Sequence, residues 1–157
     1  MNSSNRPILC VIDLSDKSVQ VLEVAAKMAC AYQSQLTILF PYRLIDKGYN
    51  GDVSKLKATL EQEAKDQFNL IKTQLPLLAQ LTHEFLPEIG FAVDRINSFV
   101  RRNKVDSVVI SQSQVTLMNE VNHLALQNLI TNSRLPFTIV PEAIDAEVFS
   151  YSTNLNR

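Results

Sequence analysis

The sequence predicts an α/β fold of three layers, in which helices cover both faces of an open, mostly parallel five-stranded sheet. The main observation is an alternation along the chain. Short continuous apolar runs are followed by longer segments whose apolar residues recur every three or four positions. In addition, the length of 157 residues suits a single domain with a sizeable core, and no internal repeat or low-complexity stretch is present. The resulting order, β-α-β-α-β-α-β-α-β, is typical of a doubly wound sheet.

Five segments are predicted to form strands. Four are continuous apolar runs of the kind found in strands that are covered on both faces. They are residues 8–12 (ILCVI), 35–40 (QLTILF), 107–110 (SVVI) and 137–140 (FTIV). Residues 82–86 (THEFL) are a weaker fifth candidate. Because Pro87 follows them, this strand is expected at an edge of the sheet.

Four apolar stripes at helical spacing lie between or after these strands. They are formed by Val19, Leu22, Ala26 and Ala29; by Leu56, Leu60, Ala64, Phe68, Ile71 and Leu75; by Val93, Ile96 and Val100; and by Val121, Ala125 and Leu129. Ser15 or Asp16 is the expected cap of the first helix. Pro76 is expected to kink or end the second helix, because proline cannot continue the backbone ladder.

The composition excludes several functional classes. Apolar residues make up 46% and charged residues 20% of the chain, which excludes a disordered protein. The formal net charge of −1 gives no field that would attract nucleic acid or an anionic membrane. No apolar run is long enough to cross a bilayer, and the polar residues 1–7 do not resemble a signal peptide. With two cysteines and no disulfide framework, a reducing, cytoplasmic location is the simplest interpretation.

Four segments together resemble the universal stress protein family. They are ILCVIDLSDKS (residues 8–18), LTILFPY (36–42), EIGFAVDRINSFVRRNKVDSVVIS (88–111) and SRLPFTIVP (133–141). The resemblance implies a Rossmann-like sheet, similar to that of the adenine nucleotide alpha hydrolases, with strand order 3-2-1-4-5 and the first strand at its centre. It also implies one domain over residues 1–141, followed by a tail over residues 142–157. Many members of this family dimerise through the last strand; some bind ATP and others do not.

The ATP-binding members carry a glycine-rich loop after the fourth strand, and this chain departs from that pattern. The first two glycines of the loop fall at Ser111 and Gln114. The loop of ATP-binding members ends in a glycine followed by a serine or threonine. In this chain these two positions fall at Leu124 and Ala125, or at His123 and Leu124 if one residue is deleted. Glycine lets backbone N–H groups approach a phosphate closely. We therefore predict that the protein does not bind ATP in the family's usual way, and no cofactor is expected.

A candidate ligand cleft is predicted where the first and fourth strands end, because ligands of doubly wound sheets bind beyond the carboxyl ends of the strands. Its residues are Asp13, Ser15, Ser111, Ser113 and Gln114. The resemblance implies that Asp13 contacts the adenosine part of a nucleotide in ATP-binding members. The alternative is a structural carboxylate that accepts hydrogen bonds from the turn after it. Residues 111–114 are expected either to contact a polar small molecule or to form a loop exposed to solvent.

No catalytic or metal centre is expected. His83 and His123 have no companion ligands at suitable spacing, and a metal site needs three or four convergent ligands. Cys10 and Cys30 are both expected to pack in the core. The basic cluster of Arg101, Arg102 and Lys104 suits the end of a helix. A phosphoryl-switch or flavin function lacks its required residues at the strand ends.

Two functional hypotheses remain. The first is a non-catalytic, stress-protein-like domain that acts by association. Its homodimer would form through the last strand, Phe137, Thr138, Ile139 and Val140, because pairing removes a bare apolar edge. A further protein partner fits the same hypothesis. The alternative is a sensor of adenosine, AMP or another small molecule in an altered cleft.

Overall fold

The computed structural model describes residues 6–44 and 51–142. Its strands form one five-stranded sheet of order β3-β2-β1-β4-β5. They are β1 (Ile8–Val11), β2 (Leu36–Tyr42), β3 (His83–Ile89), β4 (Ser107–Ser111) and β5 (Phe137–Val140). Each neighbouring pair is parallel, so the predicted order 3-2-1-4-5 is confirmed, with β1 at the centre.

Helices cover both faces of this sheet and divide the core into two halves. They are α1 (Ser18–Tyr32), α2 (Val53–Thr73), a 3₁₀ helix (Pro76–Gln80), α3 (Ala92–Arg102), α4 (Gln112–Val121) and α5 (Ala125–Ser133). Residues of α1, α2 and the 3₁₀ helix pack together on one face, and those of α3, α4 and α5 pack on the other. All four residues of β1 are buried, which explains why this strand reads as a continuous apolar run.

The edge position predicted for the fifth strand candidate is confirmed, but the strand is longer than the apolar run. β3 continues through Pro87 to Ile89 and pairs only with β2. A proline is tolerated at a sheet edge because the missing N–H can lie on the side without a partner strand. Pro41 likewise lies inside β2, opposite Glu88 and beyond the last residue paired with β1.

Two predictions about helices are wrong. The first helix is not capped by Ser15 or Asp16, because α1 begins at Ser18 and Lys17 holds the N-cap position. The fourth stripe is not one helix, because the chain breaks between α4 and α5, and Val121 is 80% exposed rather than buried. Pro76 does end the second helix region, since α2 stops at Thr73 and a 3₁₀ turn starts at the proline.

Candidate functional site

Asp13 follows β1 at the carboxyl edge of the sheet, where it organises the turn into α1. Its Oδ1 accepts a hydrogen bond from the Ser15 backbone N–H at 2.9 Å and one from the Ser18 hydroxyl at 3.1 Å. Partial burial alone would raise the pKa of Asp13, but the hydrogen bonds from Ser15 and Ser18 outweigh it and hold the pKa below its ordinary value. Asp13 is therefore a carboxylate that stabilises its own turn.

Residues 111–114 are not the loop that one interpretation of the sequence expected. Ser111 ends β4 and is also the N-cap of α4, so the polar run passes directly into a helix. The Ser111 Oγ accepts a hydrogen bond from the Gln114 backbone N–H at 3.1 Å and lies 3.1 Å from the Ser113 Oγ. Ser111 and Gln114 are buried. The first turn of α4 is thus capped from within the chain.

The space between Asp13 and Ser111 is closed. These two residues, with Lys17 and Ser18, border a gap that has no room for a water molecule. Beside it, the Lys17 Nζ lies 2.8 Å from a carboxylate oxygen of Glu142, which links the start of α1 to the residue after Pro141. Within the described part of the chain, the predicted cleft therefore brings Asp13 and Ser111 together with this narrow gap between them.

The start of α5 is also satisfied within the chain. The Leu124 N–H donates to Asn122 Oδ1 at 3.1 Å, and the Ala125 N–H donates to the Asn122 carbonyl oxygen at 2.8 Å. The Leu126 N–H reaches Asn119 Oδ1 at 3.3 Å. These donors lie at or next to the last positions of the glycine-rich pattern, and each already has an acceptor.

An open cavity of about 560 Å³ lies nearby, between the end of β2, the turn after β3 and the helices α3, α4 and α5. Its walls are mostly apolar; they include Pro41, Tyr42, Gly90, Phe91, Val93, Leu117, Met118, Val121 and Ala125. Of the predicted site residues only Gln114 lines it. Asp13, Ser15, Ser111 and Ser113 lie outside. The cleft predicted from the sequence named only Gln114 among the lining residues, because the walls come from four elements whose apolar residues look like ordinary core residues.

Two conformational details shape the mouth of the cavity. Gly90 has a φ of +140°, and a Cβ added to it would lie 2.8 Å from the Arg95 Nε, so the turn between β3 and α3 favours glycine. Across the mouth, the Arg43 guanidinium lies 4.2 Å from the centre of the Phe91 ring. This contact holds the exposed Phe91 ring beside the end of β2.

The remaining candidate residues lie apart from the cavity. His83 Nδ1 lies 3.0 Å from the Leu81 carbonyl oxygen, and His123 is exposed between α4 and α5. Cys10 is buried in β1, where burial raises the pKa of its thiol, but Cys30 is exposed, so its predicted core position is wrong. Within residues 6–44 and 51–142, no group of three His, Cys, Asp or Glu side chains is placed to hold a metal ion.

The last strand lies at the sheet edge opposite β3. Phe137, Thr138, Ile139 and Val140 pair with β4 on one side, and no described strand pairs with them on the other. Val140 is buried and Ile139 is 36% exposed. The structure thus places the predicted dimer strand at an edge, with one of its apolar side chains accessible.

The family model for universal stress proteins matches residues 4–141 of the sequence. The chain belongs to this family. The match spans the whole sheet and both sets of helices, so the resemblance seen in the strands and turns extends over the domain core. No curated protein sequence matches the chain significantly.

Solved universal stress proteins share the fold at low sequence identity. One in complex with cAMP is 20% identical, with 88% of this chain and 98% of that chain covered and a TM-score of 0.57. UspA from Lactobacillus plantarum is 18% identical, with 90% and 100% covered and a TM-score of 0.57. A protein from Archaeoglobus fulgidus in complex with dAMP is 17% identical, with 86% and 97% covered and a TM-score of 0.53. These matches agree with the Rossmann-like architecture.

No helix in the described part of this universal stress protein is both long and apolar enough to span a membrane.

Proposed function

We propose that this universal stress protein is a non-catalytic domain that acts by protein association, first of all as a homodimer, and that it does not bind ATP through the loop that ATP-binding members use. The proposal includes a cytoplasmic site of action, in keeping with the exposed, unpaired thiol of Cys30.

The observation that carries this proposal is the occupancy of three backbone donors after β4. A glycine-rich phosphate loop works because several N–H groups point outward without partners. Here the N–H groups of Gln114, Leu124 and Ala125 already donate to Ser111 and Asn122. A triphosphate would have to displace these bonds, and no glycine follows Gly90 to open the backbone in this segment.

The closed gap beside Asp13 supports the same conclusion. A nucleotide held by Asp13 and the end of β4 needs space between them, yet that gap cannot hold a water molecule. The ion pair of Lys17 and Glu142 lies alongside it. Lys17 is thereby engaged with a carboxylate of the same chain, which weakens its attraction for a phosphate.

The association half of the proposal depends on β5. An edge strand with no described strand on its outer side and with the accessible side chain of Ile139 favours pairing with another strand. A two-fold axis beside β5 would join two sheets into one and cover both edges at once. A second copy of the chain is therefore the partner that we infer for this edge.

The solution mass of the full-length protein tests the association. Light scattering after size exclusion at micromolar concentration is expected to give twice the mass of the 17.7 kDa chain. A monomer at every concentration up to the solubility limit would contradict the proposal.

A second candidate function is sensing of a small molecule such as adenosine or AMP. One specific observation favours this function. The cavity at the carboxyl edge of the sheet has a volume of about 560 Å³, which suits a small ligand. Solved universal stress proteins with cAMP and dAMP are consistent with a nucleoside-sized ligand in this fold. The altered cleft would then be the cavity lined by Gln114 rather than the gap at Asp13.

A further inference from the structure

We propose that a basic pocket at the amino edge of the sheet binds an acidic segment of a partner protein, in which carboxylate side chains are interspersed with apolar ones. The pocket lies at the opposite edge of the sheet from the candidate ligand cleft, because its residues Arg6, Lys104 and Leu135 stand shortly before the starts of β1, β4 and β5. This inference goes beyond the proposed function, since it holds for a monomer and for a dimer.

The basic pocket is a concave site with an excess of positive charge. It has a volume of about 440 Å³ and forms where the residue before β1, the end of α3 and the end of α5 meet. Four cationic side chains and no described carboxylate line it; the four are Arg6, Arg101, Arg102 and Lys104. In a chain whose formal net charge is −1, such a local excess favours a negatively charged partner.

Three of these cations are available to a partner. Arg101, Arg102 and Lys104 are exposed, and none of the three forms a salt bridge with another described residue. The Arg102 Nε donates to the Ser98 carbonyl oxygen at 3.2 Å, which leaves the other N–H groups of the guanidinium available. Arg6 already has an interaction within the protein, so the other three cations carry the recognition.

The dipole of α3 explains only part of this cluster. Arg101 and Arg102 lie in the last turn, where positive charge stabilises a helix. Lys104, however, lies beyond the C-cap residue Asn103, and Arg6 comes from the segment before β1. The convergence of cations from two segments therefore exceeds what the end of one helix needs.

The apolar part of the basic pocket favours a protein segment over a nucleic acid. Val100 and Leu135 line the pocket and are only partly buried, so an apolar side chain of a partner can pack on them. No described aromatic side chain lines the pocket, whereas proteins that bind single-stranded nucleic acids stack the bases on aromatic rings. Carboxylates also suit the two exposed arginines, because a guanidinium group can bind a carboxylate through two parallel hydrogen bonds.

Matched peptides test both parts of this recognition on the unmodified full-length protein. The first is a short capped peptide of glutamates interrupted by leucines; in the second, glycines replace the leucines, and in the third, lysines replace the glutamates. At low ionic strength, protein-detected NMR is expected to show saturable binding of the first peptide, with shifts at residues 100–105 and 133–135. The second is expected to bind about tenfold more weakly, because apolar contacts are lost, and the third not at all. Equal affinities for the first two peptides, or no saturable binding of the first, would overturn the proposal.

A pair of double variants locates the site. Arg101→Gln combined with Lys104→Gln removes two available cations and is expected to weaken binding of the glutamate–leucine peptide about fivefold, because each exposed charge pair contributes modestly. Lys55→Gln combined with Lys65→Gln removes the same charge from exposed positions of α2 and is expected to leave the affinity unchanged. Equal affinities of the two double variants for this peptide would contradict the assignment. The peptide comparison on the wild-type protein decides the matter if either variant does not fold.

Tripolyphosphate and a uridine oligonucleotide separate the acidic protein segment from a phosphate-bearing ligand. Both carry negative charge without an apolar side chain that fits beside Val100 and Leu135, so each is expected to bind more weakly than the glutamate–leucine peptide. Equal or tighter binding of either probe would overturn the proposal. None of these titrations measures the solution mass, so failure here and failure of the proposed association through β5 are distinguishable.

Discussion

At the scale of single residues, Asp13 combines the features of a binding residue and a structural one. It stands at the carboxyl end of the central strand, where ligands of such folds bind. Its hydrogen bonds nevertheless close the turn that leads to α1, and that turn holds Leu14 at a φ of 63°, which is unfavourable for a residue with a Cβ. The carboxylate thus stabilises a strained turn.

Asp13→Ala is expected to lower the free energy of unfolding by about 1 kcal/mol at neutral pH, a value reduced for solvent exposure. The folded-state pKa of Asp13 is below its ordinary value of 3.8. The contribution of Asp13 to stability is therefore complete above pH 3.8, and it disappears as the pH falls through the folded-state pKa. Urea denaturation of wild type and variant, at neutral pH and at the lowest pH where both fold, measures the difference.

The matched control for Asp13 is Asp16→Ala. Asp16 is exposed in the same turn and makes no hydrogen bond with the other described residues. Its removal is expected to change stability little. Equal losses in the two variants would contradict a structural role for the Asp13 hydrogen bonds.

Gln114 illustrates what sequence reasoning could and could not reach at this scale. The absence of glycine after Gly90 is visible in the sequence, and it led to the prediction about ATP. The direction of the Gln114 side chain is not visible, because a polar run after a strand looks like a solvated loop. Only the helical start at Gln112, with Ser111 as its cap, turns Gln114 inward.

At the scale of elements, the break between α4 and α5 deviates from the sequence prediction because the Asn122 side chain binds backbone donors there. Val121, Ala125 and Leu129 have the spacing of one helix. Asn122, however, accepts the N–H groups of Leu124, the N-cap of α5, and of Ala125, its first residue. Asparagine competes with the helix for backbone donors in this way. Apolar spacing carries no information about such a break. The ends of the buried strands, by contrast, were predictable to within a few residues.

The scarcity of glycine has a consequence for helix ends. The C-cap residues of α1 and α5, Gln33 and Arg134, have φ values of 53° and 58°, in the left-handed region where glycine is preferred. Both residues are exposed, so their side chains contribute little packing that would compensate for the strained backbone. These two helix ends are therefore places where the fold is less stable than it could be.

Gln33→Gly is expected to raise the free energy of unfolding by about 1 kcal/mol, because glycine adopts the left-handed conformation without the Cβ penalty. Gln33→Ala, which keeps the Cβ, is the control and is expected to give no gain. Thermal and urea denaturation measure both. A glycine variant no more stable than the alanine variant would show that the end of α1 is unstrained.

At the scale of the whole molecule, the strand order was predictable because the sequence alternates between two periods and resembles one family throughout. The continuation of β3 beyond Pro87 was not predictable from the sequence, because a proline usually signals the end of a strand. It continues because no described strand lies beyond β3 that would need the missing N–H. The cavity was also unpredictable, because it exists only where four separate elements meet.

The proposed dimer edge is tested by a pair of lysine substitutions. Ile139→Lys places a charge on β5 and is expected to convert the dimer to a monomer, because a lysine on an edge strand opposes pairing. Ile130→Lys is the control, since Ile130 on α5 is 38% exposed against 36% for Ile139. Light scattering of both variants measures the mass. Dimers in both, or monomers in both, would contradict pairing through β5.

The occupied donors and the closed gap at the carboxyl edge of the sheet exclude ATP from this segment in the proposed function, and a calorimetric titration tests this most directly. ATP with Mg²⁺ is titrated into the full-length protein at physiological ionic strength. We predict no saturable heat of binding, because Ser111 and Asn122 already accept the N–H groups of three residues in this segment and no glycine follows Gly90. A binding isotherm with micromolar Kd would contradict the central claim.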